Sequence, residues 1–396
     1  MALDQNTIVG VVGAGAMGSG IAQVAAAAGH RVVLGDAVQG ATQKAQAKIA
    51  RAMDREVEKE RMSRNAADEL MSRIDYQWEP LADNLAPYEN CGLVIEAIVE
   101  ELSAKQALFQ RLEAVIPRNA VLATNTSSLS VAAVASTCSG SERVLGVHFF
   151  NPAPVLPLVE VIPWLGSDPE LAPAVYSLMQ RWGKTPVIAS DTPGFIVNRI
   201  ARPFYGEAIR LLEEGVADAP TIDVAMKQLG GFRMGPFELM DFIGNDVNYA
   251  VTCSVFEGLF FDPRYKPSIT QRRLVEAGFL GRKTERGYYD YREGAATPVP
   301  STDAATATLI FERILAMLIN EAIDAVFMRV ASPADVDLSM KNGVNYPKGL
   351  LTWANELGLP RVLGWLEHLQ AEYGEDRYRP SPLLRRMARD NRRFFE

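Results

Sequence analysis

Cysteine and histidine are scarce in this chain of 396 residues, with three of each. Cys91, Cys138 and Cys253 show no C-x-x-C and no metal-ligand spacing. So low and odd a count argues against a disulfide framework and suits a reducing compartment. Three histidines leave little from which to build a His-based metal site. Basic excess is also missing: the net charge is -8, without the overall positive balance expected of a protein that grips nucleic acid non-specifically. Every apolar run is shorter, or more interrupted, than the ~20 residues of a membrane span. Met1-Ala2-Leu3-Asp4-Gln5-Asn6 lacks the basic start of a signal peptide. A soluble cytoplasmic protein, with no nucleic-acid and no membrane partner and no metal, is therefore expected.

What is present is a large apolar fraction, 48%, beside 22% charged residues, ordinary for a folded soluble protein. The first half alternates short strand-like and helical runs. Strands are predicted at 8–12, 31–34, 93–96, 121–124 and 144–147. Helices are predicted at 17–28, from 41 to about 71, and at 103–116, the last with Ser103 as its cap. Alternation of this kind implies a parallel sheet with helices on both faces. After Asp191-Thr192-Pro193-Gly194 the pattern turns helical to about Tyr291. Residues 292–308, rich in Ala, Thr and Pro, read as a linker. The remainder is helical again.

That remainder looks like a second copy of the preceding segment. Glu207-Ala208-Ile209 recurs as Glu321-Ala322-Ile323. Asp223 recurs as Asp337, Met226-Lys227 as Met340-Lys341, Gly235 as Gly349 and Gly244 as Gly358. The offset is the same for every pair, as a duplicated unit requires and two unrelated helical segments do not. Asn198 falls on Glu312 in this register, and Pro193-Gly194-Phe195 has no counterpart, so the copy is expected to be structural rather than catalytic. The expected division is a dinucleotide-binding domain at 1–190, a first helical domain at 191–291, a linker at 292–308 and a second helical domain at 309–396.

Gly13-Ala14-Gly15-Ala16-Met17-Gly18 is a G-x-G-x-x-G placed between a strand and a helix. The first glycine serves the tight turn, the second the approach of a pyrophosphate, the third close packing of helix on strand. The helix N-terminus, with Ala16 and Met17, offers amides to phosphate. Asp36 ends the second strand, eighteen residues past Gly18. A carboxylate there accepts from both ribose hydroxyls and repels a 2′-phosphate, so NAD is expected over NADP. Gly35, where a buried strand would end on a bulky residue, has no explanation in the sequence.

His148 ends a predicted strand in Val147-His148-Phe149-Phe150-Asn151-Pro152, at the edge where open α/β sheets bind ligands. An imidazole there can accept an alcohol proton; it can also be a satisfied core residue. Glu160, a carboxylate inside Leu158-Val159-Glu160-Val161-Ile162, can pair with it, or face water from an edge strand. Asn125-Thr126-Ser127-Ser128 follows another strand, either lining a site or, through Ser128, capping the next helix. Asn198, one turn into a helix expected from Pro193, can bond a substrate oxygen or link helices.

These motifs, with Glu96-Ala97-Ile98-Val99-Glu100, Asp191–Arg199, Met234-Gly235-Pro236-Phe237-Glu238-Leu239, and Gly281-Arg282-Lys283-Thr284 before Gly287-Tyr288-Tyr289, closely resemble the 3-hydroxyacyl-CoA dehydrogenase family over residues 7–291. The resemblance implies an α/β Rossmann-type domain followed by helical domains, and reversible oxidation of a (3S)-3-hydroxyacyl-CoA to the 3-oxoacyl-CoA with NAD. It implies His148 as base, Glu160 as its orienter, and Ser127 and Asn198 as groups holding substrate oxygens. Glu100, Lys105 and Asn125 match positions lining the nicotinamide–ribose side, and Lys59 matches a CoA-contacting lysine. Ala52 stands where some members have serine. Lys44, Lys48, Arg51, Arg55 and Lys59 are spaced to suit a phosphate-rich ligand, or form an ordinary solvated face. The tail, with Gly343-Val344-Asn345-Tyr346-Pro347 and Tyr373-Gly374-Glu375-Asp376-Arg377-Tyr378-Arg379-Pro380, resembles bacterial members of phenylacetate degradation acting on 3-hydroxyadipyl-CoA, here with a short linker. Family members commonly dimerise through the helical domain, so either a homodimer or a pseudo-dimer within one chain is expected. Two other readings stay open: a dehydrogenase of a non-CoA hydroxy or sugar acid, and a non-catalytic NAD-binding protein.

Overall fold

The computed structural model describes residues 3–79, 81, 84–296 and 298–396. The chain forms two compact units, Met1–Thr192 and Pro193–Glu396.

The first unit is built on one eight-stranded sheet: β1 (Val9–Val12), β2 (Val32–Gly35), β3 (Ile74–Tyr76), β4 (Leu93–Glu96), β5 (Val121–Thr124), β6 (Val144–Phe149), β7 (Leu158–Pro163) and β8 (Thr185–Ile188). The spatial order is β3-β2-β1-β4-β5-β6-β7-β8. All pairings are parallel except β6 with β7. The short central strands are buried on both faces because α1 (Ala16–Ala27), α2 (Ala41–Glu58), α3 (Arg64–Ser72), α4 (Leu102–Glu113), α5 (Val131–Ala135) and α6 (Leu171–Arg181) accompany them. One apolar cluster lies on each side of the sheet, around Ile21, Leu34 and Val175 on one and around Tyr88, Phe109 and Leu122 on the other.

Several local readings of the sequence need correction. The helical run expected from 41 to about 71 is two helices, because Glu60 takes a left-handed backbone at φ +56° and Ser63 then caps α3 by accepting from Ala66 N. Ser103 lies inside α4, not at its cap; its hydroxyl donates to Glu101. Ser130, not Ser128, caps the helix after β5, accepting from Ala133 N. Strands β3 and β8 carry Asp75 and Pro186 and escaped the apolar-run criterion. Gly35 also acquires a reason: a Cβ there would lie 2.4 Å from Leu81 and 2.6 Å from the Tyr88 hydroxyl, which donates to Val11 O at 3.0 Å.

The second unit holds α7 (Val197–Ile200), α8 (Arg202–Glu213), α9 (Ala219–Gly230), α10 (Pro236–Ile243), α11 (Asn245–Gly258), α12 (Ile269–Glu276), α13 (Ala304–Phe327), α14 (Pro333–Gly343), α15 (Leu350–Leu357), α16 (Leu359–Tyr373) and α17 (Pro382–Arg389). The segments expected as separate helical domains pack together here around α13. Its stretch from Leu315 to Ala325 is buried throughout, Asn320, Glu321 and Asp324 included.

The repeated sequence positions make repeated structure. Asp223 accepts from the amides of Phe237 and Glu238 at the start of α10, both at 2.9 Å. Asp337 does the same for Leu351 and Thr352 at the start of α15, at 2.8 and 2.9 Å. Gly235 and Gly349 precede these helices because a Cβ on either would come within 2.3 Å of its aspartate. Buried Glu207 pairs with Arg313 and Arg377 of the later segment, at 3.0 and 2.9 Å. Buried Glu321 pairs with Arg199 and Arg264 of the earlier one, at 2.7 and 3.4 Å. Tyr378 donates to Glu207 and Tyr265 to Glu321. Each segment thus gives the other the same set of groups, which is the self-complementary arrangement of a twofold interface, made within one chain.

Candidate active site

The glycine-rich turn connects β1 to α1. Gly13 has φ +104°, and a Cβ on it would meet Ala97 O at 2.5 Å; on Gly18 it would meet Gly13 O at 1.7 Å. Around Gly15 nothing lies within 4 Å of that position. Two glycines therefore close the turn on itself and the middle one faces open space, where a phosphate can approach the backbone. No side chain caps the α1 terminus at Gly15, so Ala16 and Met17 lead a helix whose first amides await an anion. Asp36 stands beside the turn: one oxygen accepts from Ala14 N at 2.6 Å, the other from Val38 N at 2.8 Å. The turn, the uncapped helix end and the adjacent carboxylate fit a dinucleotide.

A second constellation gathers at the C-terminal ends of β4, β5 and β6. Glu96 is fully buried at the end of β4 and accepts from Lys105 Nζ at 2.6 Å, Thr124 Oγ1 at 2.7 Å and Ile98 N at 2.7 Å. Lys105, 1% exposed, also pairs with Glu100 at 3.2 Å. Glu100 collects the loop after β5: Thr126 Oγ1 and Ser127 N donate to it at 2.7 and 2.8 Å, and Ser128 N at 3.0 Å. Burial by itself raises the Glu100 carboxyl, but Lys105 and these donors outweigh it and hold it below the usual carboxylate range. Asn125 accepts from Phe149 N at 2.9 Å and so ties this loop to β6 next to His148.

His148 lies opposite Glu160 in the one antiparallel pair of the sheet. The imidazole Nδ1 is 2.7 Å from Glu160 Oε2. Glu160 is fully buried, and β7 lies between β6 and β8, which rules out the water-facing edge acid. A buried carboxylate on Nδ1 fixes the tautomer and leaves Nε2 as the acceptor. Placed on the sheet's carboxyl edge next to Asn125, this pair has the composition of an alcohol-oxidising site.

The remaining expected residues are on other elements. Asn198 is the second residue of α7 in the second unit; the helix starts at Val197 rather than Pro193, because Gly194 and Phe195 take left-handed conformations at φ +78° and +46°. Lys44, Lys48, Arg51, Arg55 and Lys59 are all exposed along α2 and its C-cap, and among the described residues none joins an ion pair. Sequence reasoning quoted Glu96 within a motif but gave it no role, although an acid ending an apolar strand was the signal. It likewise gave no role to Asp191, which accepts from Ser130 Oγ, Val131 N and Ala132 N at the start of α5.

The model of the 3-hydroxyacyl-CoA dehydrogenase NAD binding domain matches residues 8–192, and that of the same family's C-terminal domain matches 194–291 and 309–393. The chain belongs to the 3-hydroxyacyl-CoA dehydrogenase family. It is an NAD-dependent enzyme oxidising 3-hydroxyacyl-CoA. A 3-hydroxyadipyl-CoA dehydrogenase of Escherichia coli is 38% identical over 96% of this chain and 97% of its own length. A 3-hydroxybutyryl-CoA dehydrogenase of Bradyrhizobium diazoefficiens is 42% identical over 74% of this chain and 97% of its own. The crystal structure of an E. coli 3-hydroxybutyryl-CoA dehydrogenase superposes with a TM-score of 0.91 at 37% identity, covering 98% of both chains. Among the described residues no helix is long and apolar enough to cross a membrane.

Proposed function

We propose that His148 is the base that takes the C3 hydroxyl proton of a short-chain 3-hydroxyacyl-CoA, 3-hydroxyadipyl-CoA among them. The observation that carries this reading is the 2.7 Å contact between His148 Nδ1 and buried Glu160. NAD, when bound, accepts the hydride from C3. His148 Nε2 receives the proton, and Glu160 stabilises the imidazolium without itself becoming protonated. Ser127 and Asn198 hold substrate oxygens. Gly13, Gly15, Ala16, Met17 and Gly18 hold the pyrophosphate, and Asp36 the ribose. Glu100, Lys105 and Asn125 shape the wall beside the nicotinamide. The cytoplasm is the proposed compartment.

The test is NADH-linked reduction of acetoacetyl-CoA beside oxidation of 3-hydroxybutyryl-CoA and 3-hydroxyadipyl-CoA. Turnover of the thioesters, with none of the free hydroxy acids, is expected. Turnover of the free acids alone would move the enzyme to hydroxy- or sugar-acid substrates.

The exposed basic face of α2 supports a phosphate-rich ligand. Reversing charge at Lys48 and Arg51 is expected to raise KM for acetoacetyl-CoA about 3- to 10-fold with kcat unchanged. The difference should shrink at roughly 0.5 M salt, where exposed charges are screened. An unchanged KM would assign this face to solvent, Lys59 included.

The reciprocal Glu207 and Glu321 clusters support a pseudo-dimer within one chain. Light scattering is then expected to give the 43.4 kDa of one chain; twice that mass would place the second segment in a homodimer interface.

A further inference from the structure

α7 is a single turn of four residues, too short to be stable by itself. It is entered through two left-handed residues, Gly194 and Phe195, so the chain before it does not continue its axis. Its position is set by what grips it. The Asn198 carbonyl accepts from Arg202 Nε at 2.8 Å. Beside Asn198, Arg199 is buried, with Nε donating to Glu321 Oε1 at 2.7 Å and Nη2 to Asp324 Oδ2 at 3.3 Å. Both acids are on α13, in the second helical segment. Arg264 Nη1 binds the same two acids, at 3.4 and 3.0 Å. Tyr265 adds a hydrogen bond to Glu321.

We infer that Glu321 and Asp324 are positioning residues of the dehydrogenase reaction: by holding Arg199 they set where α7 presents Asn198. This rests on the reading of Asn198 as a substrate-binding group. It gives the second segment, expected from its sequence to be structural, a part in turnover.

The mirror cluster supplies a control. Arg313, the counterpart of Arg199, is held by Glu207 and Glu214 at 3.0 and 2.6 Å. The residue before it, where Asn198 would fall, is Glu312, which instead pairs with Arg361 on the surface at 3.1 Å. The same kind of buried ion cluster therefore anchors a helix carrying Asn198 in one place and one carrying a surface acid in the other.

The experiment compares Glu321→Gln, Asp324→Asn, Glu207→Gln and Asn198→Ala in the full chain. It measures melting temperature, NADH dissociation constant, and kcat and KM with acetoacetyl-CoA. Glu321→Gln puts an amide N–H₂ either against Arg264 or against Arg199 and Tyr265 together, all of which donate. It is expected to lower kcat/KM about 10- to 100-fold, the scale of a 1 Å misplacement, with NADH affinity unchanged. On the Asn198→Ala background it should cause no further loss. Glu207→Gln should lower the melting temperature comparably and leave kcat/KM within about twofold, a ratio well under one factor-of-ten step. Should Glu321→Gln fail to fold, Asp324→Asn, which keeps an acceptor for Arg199, carries the comparison. Equal kcat/KM losses in the Glu321 and Glu207 variants, or additive losses with Asn198→Ala, overturn the inference. An impaired Asn198→Ala beside fully active Glu321 and Asp324 variants overturns it alone. A fully active Asn198→Ala removes the reading of Asn198 and this inference with it.

Discussion

Replacing His148 by Gln lowers kcat by a factor on the order of 10² to 10⁴, the contribution of a positioned proton acceptor, while NADH still binds. Gln keeps much of the volume and an acceptor oxygen, but its amide has no basicity at neutral pH. The hydroxyl proton is left without an acceptor as hydride departs. The substitution also leaves Glu160 buried beside a neutral amide, so the melting temperature must be recorded alongside. The cofactor turn is separate from this pair: it rests on Gly13, Gly18 and Asp36. Rate and cofactor affinity should therefore part company, with stopped-flow reduction of acetoacetyl-CoA slowed and the NADH fluorescence titration unchanged. Glu160→Gln should also slow turnover, because an amide on Nδ1 no longer enforces one tautomer or stabilises the imidazolium. The double variant should be little slower than His148→Gln alone, since the two act as a unit. A His148→Gln enzyme that retained wild-type kcat would remove the imidazole from the chemistry and leave the site without a base.

Lys105→Met is expected to destabilise the first unit by about 3–5 kcal/mol, the cost of breaking a buried pair from one side. Lys105 and Glu96 are 1% and 0% exposed and 2.6 Å apart. Without the ammonium, Glu96 keeps the Thr124 hydroxyl and the Ile98 amide but has no countercharge. At roughly 2–4 °C per kcal/mol for a unit of this size, the melting transition falls by about 6–20 °C. A functional loss accompanies it. Lys105 also holds Glu100, the acceptor for Thr126, Ser127 and Ser128, and releasing it loosens the loop that carries Ser127. Adding Glu96→Gln to the Lys105 variant should restore part of the stability, because a neutral amide can remain buried where a lone carboxylate cannot. A Lys105→Met protein as stable as the parent would mean that the pair, although buried, contributes nothing net to folding.

The cofactor turn was legible in the sequence because its chemistry is local. Gly13, Gly15 and Gly18 fall within six consecutive residues of one turn, where Gly13 and Gly18 leave no room for a Cβ and Gly15 faces open space. Asp36 was legible for a related reason: a parallel neighbour strand returns its end to the same edge. The duplication was legible because its register carries no gaps, so Asp223 and Asp337, or Gly235 and Gly349, can be matched by counting. His148 and Glu160 sit in between. Each looked odd where it stood, an imidazole at a strand end and an acid inside an apolar strand, and each alone had an ordinary explanation. Their pairing depends on β7 turning back antiparallel to β6 and on the register that sets the two opposite each other.

Long-range ion pairing was out of reach altogether. That Arg199 is held by acids more than a hundred residues away, and Arg313 in return by Glu207, follows from how two helical segments pack, which no local pattern encodes. Helix boundaries failed for a nearer reason. Glu60, Gly194 and Phe195 take left-handed backbones that composition does not announce, and these break the long helix after β2 and delay the one carrying Asn198. By itself, then, the sequence determined the cofactor, the alternation of strands and helices in the first half, and the repeat, because those depend on short-range backbone geometry and spacing. Only the tertiary structure decided which buried charges face each other, because a buried ion finds its partner through packing and not through its neighbours in the chain.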